Sequence, residues 1–233
     1  MRGLYAIVDT DTLSPRGLDP VAFAEAILGE HPAAIQLRDK RGGAGRTLAL
    51  LRAIAPLARR AGVPIFANDR PDLAVLAGCD GVHVGQDDLP PAAARTLGQR
   101  AGAALRVGLS THSRAQLEAA LAEPLGPLDY VAIGPVFPTV SKDRPDPVVG
   151  LEELQALSAL AARARPGLPI VAIGGISLES AAAVGARCAC AAVIGALLPG
   201  EGREGPAALA EVAARARALH AAILGVVAGG GAP

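Results

Sequence analysis

The chain has 233 residues, and its Lys plus Arg and Asp plus Glu are balanced at 22 each. This balance gives no global positive field to gather nucleic acid or an anionic membrane surface, and an aromatic content of 2% excludes a surface for stacking bases. We therefore expect small-molecule partners, with no nucleic acid and no membrane.

The first apolar run, residues 4–8, is too short for a signal peptide, and no window reaches the ~18 apolar residues of a membrane span. Three cysteines, Cys79, Cys188 and Cys190, are too few for a disulfide framework and are expected to be small buried apolar side chains. These features predict a cytoplasmic protein.

Short apolar runs alternate with longer amphipathic segments along the chain. The short runs have the length and the Val, Ile and Ala content of buried parallel strands. Eight strands are predicted, at residues 4–8, 33–37, 64–67, 81–84, 105–109, 130–133, 170–173 and 191–194.

The segments between these strands carry Ala, Leu and Arg at helical spacing, and most end at or shortly before a glycine such as Gly98. Eight strand–helix units predict an α/β fold closed as a TIM (β/α)8 barrel, with a doubly wound open sheet as the alternative. We assign residues 1–224 to one barrel domain and residues 225–233 to a flexible Gly- and Ala-rich tail. The predicted helices span residues 20–28, 46–61, 71–76, 92–97, 114–121, 151–164, 178–184 and 207–224.

Polar residues follow six of the predicted strands, at the end where barrel enzymes place their chemistry. The connection at residues 134–150 is the longest, and a long polar loop of this kind is often functional. The six polar segments are residues 36–40, 68–70, 86–88, 110–112, 139–142 and 174–176.

Three cations in this set suit a polyanion: Arg38, Lys40 and Lys142. Alternation along the strand end points Gln36, Arg38 and Lys40 to the same side. Asp69 adds a carboxylate to this group, and Asp88 adds another. Mg²⁺ is usually held by one or two carboxylates together with waters and phosphate oxygens. The set predicts a metal-bound diphosphate.

A second phosphate is expected at Gly174 and Gly175. These glycines precede a predicted helix that opens near Ser177, so they offer backbone N–H groups and a helix N-terminus to an anion.

Several of these residues also have structural interpretations. Asp88 could be the N-cap of the helix that Pro90 opens, and Ser177 could cap its own helix. Arg38 and Lys40 could pair with Asp39 or other neighbouring acids.

Two histidines are treated differently from each other. His83 lies within a strand and is expected to be a core histidine with satisfied hydrogen bonds. His112 follows a strand at the polar end of the barrel and remains a possible acid–base group.

Taken in order, the motifs of this chain resemble the thiamine-phosphate synthase family from about residue 4 to residue 198. The matching segments are LYAIVD (4–9), QLRDK (36–40), NDR (68–70), DLA (72–74), GVHVGQDDLP (81–90), GLSTH (108–112), GPVFPT (134–139), Lys142, GL (150–151) and VAIGGI (171–176).

The resemblance implies a TIM-barrel transferase that uses Mg²⁺. The enzyme would join hydroxymethylpyrimidine diphosphate to hydroxyethylthiazole phosphate, releasing pyrophosphate and forming thiamine phosphate. The implied catalytic residues are Arg38, Lys40, Ser110 and Lys142. The implied ligands are Gln36, Arg38, Asp39, Lys40, Asn68, Ser110 and Lys142 for the pyrimidine diphosphate, Thr139, Val140, Ser141, Gly175, Ile194 and Gly195 for the thiazole phosphate, and Asp69 and Asp88 for the metal.

Two departures from the family pattern affect the thiazole phosphate. Ser141 stands where a threonine is usual, which keeps a hydroxyl. Gly195 stands where a serine is usual, so one side-chain contact to the phosphate is lost.

Three other functions are weighed against synthesis: a thiazole tautomerase on the same scaffold, a phosphate-binding barrel isomerase, and a non-catalytic barrel that binds thiamine precursors. The presence of Asp69, Asp88 and Lys142 argues against all three, because none of them needs two metal carboxylates and a loop cation together. The phosphorylated substrates are the expected partners, with a homo-oligomer as a further possibility.

Overall fold

The computed structural model describes residues 1–122, 128–139 and 147–225. Here eight parallel strands close into a barrel in sequence order. The TIM-barrel prediction is confirmed, and the alternative of an open sheet is wrong. The strands are β1 (Gly3–Asp9), β2 (Ala34–Arg38), β3 (Ile65–Asn68), β4 (Gly81–Val84), β5 (Arg106–Thr111), β6 (Tyr130–Ile133), β7 (Ile170–Ile173) and β8 (Cys190–Val193).

Helices follow the strands and cover the outside of the barrel. Among the described residues no helix is both long enough and apolar enough to span a bilayer. The helices are α1 (Thr10–Leu13), α2 (Pro20–Leu28), α3 (Ala44–Ala61), α4 (Pro71–Ala77), α5 (Pro91–Arg100), α6 (Arg114–Leu121), α7 (Gly150–Ala164), α8 (Leu178–Gly185) and α9 (Gly205–Leu224), with 3-10 turns at Ser14–Arg16 and Gly195–Leu197.

Two features differ from the predicted helices. The short helix α1 was not predicted, because four residues show no periodicity; the side chain of Asp9 starts it by accepting a hydrogen bond from the Asp11 N–H. Gly98 does not end α5 but lies inside it, where an added Cβ would come within 2.8 Å of the Leu105 Cβ. This glycine serves close packing rather than helix termination.

The strands divide the apolar residues between two layers. One set of side chains packs outward against the helices, and the other fills the barrel interior. The interior set includes Tyr5, Phe66 and Tyr130, and the Tyr130 ring occupies the space that a side chain at Gly108 would need. Three of the five aromatic residues therefore lie in the barrel interior.

The predicted tail, residues 225–233, lies outside the described part of the chain except for Gly225, at which α9 ends. Its flexibility remains a prediction.

Candidate active site at the carboxyl ends of the strands

Arg38, the last residue of β2, reaches across to β1. Its guanidinium lies 2.7 Å from the Asp9 carboxylate, which is only 1% exposed. Burial raises the pKa of Asp9, and the charge of Arg38 opposes that rise. Arg38 thus forms an ion pair with an acid, as the structural interpretation of this residue predicted, but the acid is Asp9 and not Asp39. The pairing fixes the guanidinium at the mouth with 16% of its side chain exposed.

Asp39 faces away from the mouth. Its fully buried side chain accepts hydrogen bonds from the hydroxyls of Thr10 at 2.6 Å and Thr47 at 2.8 Å. Strand alternation explains this position, because Arg38 points inward and the next residue must point towards the helices. The structure therefore gives Asp39 a role in anchoring α1 and α3 and does not bring it to the other predicted ligands.

Lys40, Asp69 and Asp88 form a charged group at the mouth. The Lys40 ammonium lies 3.4 Å from the Asp69 carboxylate. Burial and then the neighbouring Asp88 carboxyl raise the pKa of Asp69 to about 6, while Lys40 opposes the rise. Asp69 also has a φ of 63°, which is uncommon outside glycine and is frequent at sites of function. Two acids are thus held together beside a cation.

Asp88 is not the cap of α5. Its carboxylate accepts a hydrogen bond from the Gly85 N–H at 2.8 Å, whereas α5 begins after Pro90 without a side-chain cap. This bond folds the loop after β4 back on itself and leaves Asp88 partly exposed. The interpretation of Asp88 as a helix cap is wrong.

The mouth and the interior are joined by a chain of hydrogen bonds from Gln36 to Ser110. Gln36 contacts the Tyr5 hydroxyl at 2.9 Å, and that hydroxyl lies 2.9 Å from the Tyr130 hydroxyl. His83 bridges Tyr130 and Ser110, with Nδ1 and Nε2 each 2.8 Å from a hydroxyl. The prediction that His83 is a satisfied core histidine is confirmed, but its partner Ser110 is a predicted site residue.

Asn68 ends β3 and is the register partner of His83 on β4. Residues paired across neighbouring parallel strands point to the same side, so Asn68 shares the mouth with His83 and Ser110. The predicted diphosphate ligands Gln36, Arg38, Lys40, Asn68 and Ser110 are therefore brought to one end of the barrel.

The loop after β7 packs closely on the loop after β6. Gly174 and Gly175 have φ of 98° and 65°, and an added Cβ would collide with Pro135 at the first and with Pro138 at the second. Only glycine fits both the conformation and the space. Gly175 is thereby held against Pro138, the residue before Thr139.

Two more predicted thiazole-phosphate residues follow β8. Ile194 precedes the 3-10 turn Gly195–Leu197, and Gly195 is exposed. Since β7 and β8 are neighbours in the barrel, this turn and Gly175 lie beyond adjacent strand ends.

Ser177 caps α8, which confirms the structural interpretation of this residue. It forms a capping box with Ser180, in which each side chain bonds the backbone N–H of the other. The N–H groups of these two residues are therefore already used within the helix start. Gly174 and Gly175 are left as the better candidates for contact with a phosphate.

Three predicted ligands, Val140, Ser141 and Lys142, lie outside the described residues. The ends of their loop are described: the N–H of Val149 bonds the Pro135 carbonyl at 2.8 Å, and that of Gly150 bonds the Val136 carbonyl at 3.0 Å.

His112 contacts the loop after β6, because its Nδ1 donates to the Gly134 carbonyl at 2.6 Å.

No group of three or more His, Cys, Asp or Glu in the described ranges could hold a metal ion. The available donor set at the mouth is the pair Asp69 and Asp88, which suits a hard cation that takes its other ligands from water and substrate.

Sequence reasoning missed Asp9, Tyr5 and Tyr130 and treated His83 only as core. The sequence does contain a signal for Asp9, Tyr5 and Tyr130. Tyr5 and Asp9 lie on the same side of β1, and the hydroxyl of a tyrosine inside a core strand needs a hydrogen-bond partner. Only the barrel closure shows that these residues meet Arg38, Gln36 and His83.

Comparison with known proteins gives a consistent result. Residues 4–197 match the family model described as thiamine monophosphate synthase. The chain is 46% identical over 212 residues to a thiamine-phosphate synthase of Anaeromyxobacter dehalogenans, covering 91% of this chain and 87% of that protein. It is 43% identical over 187 residues to one of Koribacter versatilis, covering 78% and 81%. Among solved structures it resembles the thiamine phosphate pyrophosphorylase from Pyrococcus furiosus, with a TM-score of 0.76, 27% identity and coverage of 97% and 96%.

Proposed function

Because the chain belongs to the thiamine monophosphate synthase family, we propose that the groups at its barrel mouth hold the two substrates of this reaction. The enzyme joins hydroxymethylpyrimidine diphosphate to hydroxyethylthiazole phosphate and releases pyrophosphate, forming thiamine phosphate. The observation that carries the site assignment is the convergence of Arg38, Lys40, Asp69 and Asp88 at one end of the barrel.

Charge separation is the main chemical demand of this reaction. Breaking the carbon–oxygen bond to diphosphate leaves positive charge on the pyrimidine methylene and negative charge on the leaving group. In this proposal Arg38, Lys40 and Lys142 stabilise the leaving group by their positive charge, and Ser110 stabilises it by donating a hydrogen bond. The thiazole nitrogen is the nucleophile, so the protein has to orient two substrates and need not supply a covalent nucleophile.

The two carboxylates at the barrel mouth are a donor set that suits Mg²⁺. Asp69 and Asp88 are two acids close enough for one to raise the pKa of the other, and a divalent cation between them would remove that repulsion. When bound, Mg²⁺ would supply positive charge to the diphosphate oxygens.

The thiazole phosphate is assigned to the opposite side of the mouth. Thr139, Gly175, Ile194 and Gly195 follow strands β6 to β8, whereas the diphosphate groups other than Lys142 lie at or just beyond the ends of β2 to β5. Val140 and Ser141 are included in this proposal from the family pattern. Apart from Lys142, which follows β6, each anion has its own set of strand ends.

Pyrophosphate release tests the function directly. The purified protein is mixed with both substrates and Mg²⁺, and pyrophosphate is followed with time. We expect release that requires both substrates. Absence of pyrophosphate together with isomerisation of a thiazole carboxylate phosphate would show a tautomerase, and binding of either substrate without turnover would show a non-catalytic barrel.

Magnesium should stabilise the protein more at neutral than at acidic pH. A carboxyl whose pKa is raised on folding, as for Asp69 at about 6, stabilises the metal-free fold below its unfolded pKa of about 3.9, and this contribution is lost as pH rises through about 6. Mg²⁺ binds the ionised form, so we expect a larger Mg²⁺-induced rise in Tm at about pH 7.5 than at about pH 5.

Thermal unfolding with EDTA and with Mg²⁺ at both pH values measures this difference. Asp69→Asn is the control, and it should remove most of the pH dependence of the Mg²⁺ effect. An equal Tm shift at both pH values in the unmodified protein would contradict the prediction.

Restoring a hydroxyl at position 195 should strengthen the binding of the thiazole phosphate. An added Cβ at Gly195 meets no described atom within 4 Å, so Gly195→Ser fits without rearrangement. One hydrogen bond to a charged group is worth ~1.5–3 kcal/mol, and we expect KM for the thiazole phosphate to fall by roughly tenfold with little change in kcat. Steady-state kinetics measures it, with Gly195→Ala as the matched control. Equal KM values for the serine and alanine variants would rule out the contact.

Two further expectations belong to this proposal. We expect the enzyme to act in the cytoplasm on small phosphorylated substrates, and we keep a homo-oligomer as a possible assembly. Sedimentation of the purified protein would measure the second.

A further inference from the structure

The hydrogen bonds beneath the mouth form one continuous chain of five side chains: Gln36, Tyr5, Tyr130, His83 and Ser110. The distances along it are 2.9, 2.9, 2.8 and 2.8 Å. The first four members are 8% exposed or less, and only Ser110 reaches partly exposed surface. The hydrogen-bond chain therefore has a buried end at Gln36 and a partly exposed end at Ser110.

The chemistry of its members gives the chain a direction. The Gln36 amide nitrogen donates to the Tyr5 oxygen, and the nearest acceptor for the hydrogen of Tyr5 is then the Tyr130 oxygen. In this direction Tyr130 donates to Nδ1 of His83. A neutral histidine that accepts at Nδ1 carries its proton on Nε2, and it then donates to the Ser110 oxygen.

The reverse direction is less favourable. If Nδ1 of His83 carried the proton, Tyr130 would donate to Tyr5, whose own hydrogen would lack the acceptor that the chain otherwise supplies. An unsatisfied buried polar group costs about 1–3 kcal/mol. Burial raises the pKa of both phenols well above the ordinary value, so each keeps the hydrogen that the chain requires.

We propose that Tyr5, Tyr130 and His83 are positioning residues that hold the Ser110 hydroxyl as a hydrogen-bond donor towards the leaving diphosphate. With its oxygen occupied by the His83 N–H, the serine is left with its own hydrogen for an acceptor in the mouth. The orientation matters because a donor stabilises the negative charge that develops on a leaving oxygen, whereas a lone pair would repel it. The inference rests on the proposed placement of the diphosphate beside Ser110.

The tautomer of His83 tests the direction without any assay of activity. Long-range proton–nitrogen correlation spectra of the nitrogen-15-labelled protein at about pH 7.5 distinguish a proton on Nε2 from one on Nδ1, and His83→Gln assigns the signal among the four histidines. We expect the proton on Nε2 in the unmodified protein and a mixture of tautomers in Tyr130→Phe. A proton on Nδ1, or a doubly protonated ring, in the unmodified protein would overturn the proposal.

Kinetics tests whether the orientation acts in the reaction. Tyr130→Phe keeps the ring but removes the hydroxyl, and we expect kcat to fall about tenfold while KM for both substrates changes less than about threefold. Ser110→Ala should lower kcat at least as much. The double variant should be no slower than Ser110→Ala, because the tyrosine acts only through the serine.

Thr111→Val is the matched control. It removes another buried hydroxyl on β5. This hydroxyl donates to the Ala132 carbonyl at 2.9 Å and is not a member of the hydrogen-bond chain from Gln36 to Ser110. A similar loss of Tm with unchanged kcat in this variant would separate positioning from general stability. Additive effects of Tyr130→Phe and Ser110→Ala, or unchanged kcat in Tyr130→Phe, would overturn the proposal. Failure of the unmodified enzyme to release pyrophosphate would instead overturn the proposed function.

Discussion

Asp88→Asn is expected to raise the Mg²⁺ concentration needed for half-maximal activity by roughly tenfold and to lower kcat by about 100-fold or more. The substitution removes one of two carboxylate charges but keeps a side-chain oxygen that can accept the Gly85 N–H. The loop after β4 should therefore keep its fold while the metal site loses charge. Initial rates across a Mg²⁺ titration, with Tm measured on the same samples, give both quantities.

The adjacent acid supplies a matched control. Asp87 is exposed and stands outside the proposed site, so Asp87→Asn changes the net charge by the same amount next to the same loop. We expect its Mg²⁺ dependence and kcat to stay close to those of the unmodified enzyme. Equal losses in the two variants would show a general effect of surface charge, and normal activity in Asp88→Asn would remove Asp88 from the metal site.

The barrel could be predicted because its signal is repeated. Eight short apolar runs separated by helical segments admit few arrangements, and parallel strands that are buried on both faces are easy to recognise. The helix α1 escaped prediction because it depends on a single cap from Asp9. Gly98 was misinterpreted as a helix end because close packing against Leu105 and helix termination both select glycine.

The site was predictable as a set of strand-end residues but not as a set of contacts. Gln36, Arg38, Asn68 and Ser110 are predicted ligands because each stands at or near the carboxyl end of a strand. Asp39 was included with its neighbours in the motif although alternation turns its side chain towards the helices. Sequence position fixes which strand end a residue occupies, while the direction of its side chain depends on the local register.

The sequence motifs did not predict contacts between residues on strands that are distant in the sequence. Asp9 and Arg38 are 29 residues apart, and Tyr5 and Tyr130 are 125 apart. Such pairs form only when the barrel closes. They matter here because they set the orientation of the predicted ligands, so the sequence predicts which groups could bind the diphosphate and the fold determines how those groups are oriented.

The pair of Asp9 and Arg38 allows stability and catalysis to be separated. Arg38→Met should leave the Asp9 carboxylate buried without its counter-charge, which costs about 3–5 kcal/mol, and should also remove a cation from the leaving group. Adding Asp9→Asn removes the buried charge while keeping a side-chain oxygen to cap α1. We expect the double variant to recover most of the free energy of unfolding while kcat remains roughly 10²–10³-fold below that of the unmodified enzyme.

Urea denaturation and steady-state kinetics on both variants measure the two effects. Arg41→Met is the matched control. This arginine is nearby, but its side chain is 80% exposed and its ion pair with Asp11 is long, at 3.9 Å. It should change neither quantity much. If the double variant recovered turnover together with stability, Arg38 would be needed only to neutralise Asp9. If it recovers stability alone, the buried acid serves to aim the guanidinium, and the catalytic charge belongs to Arg38.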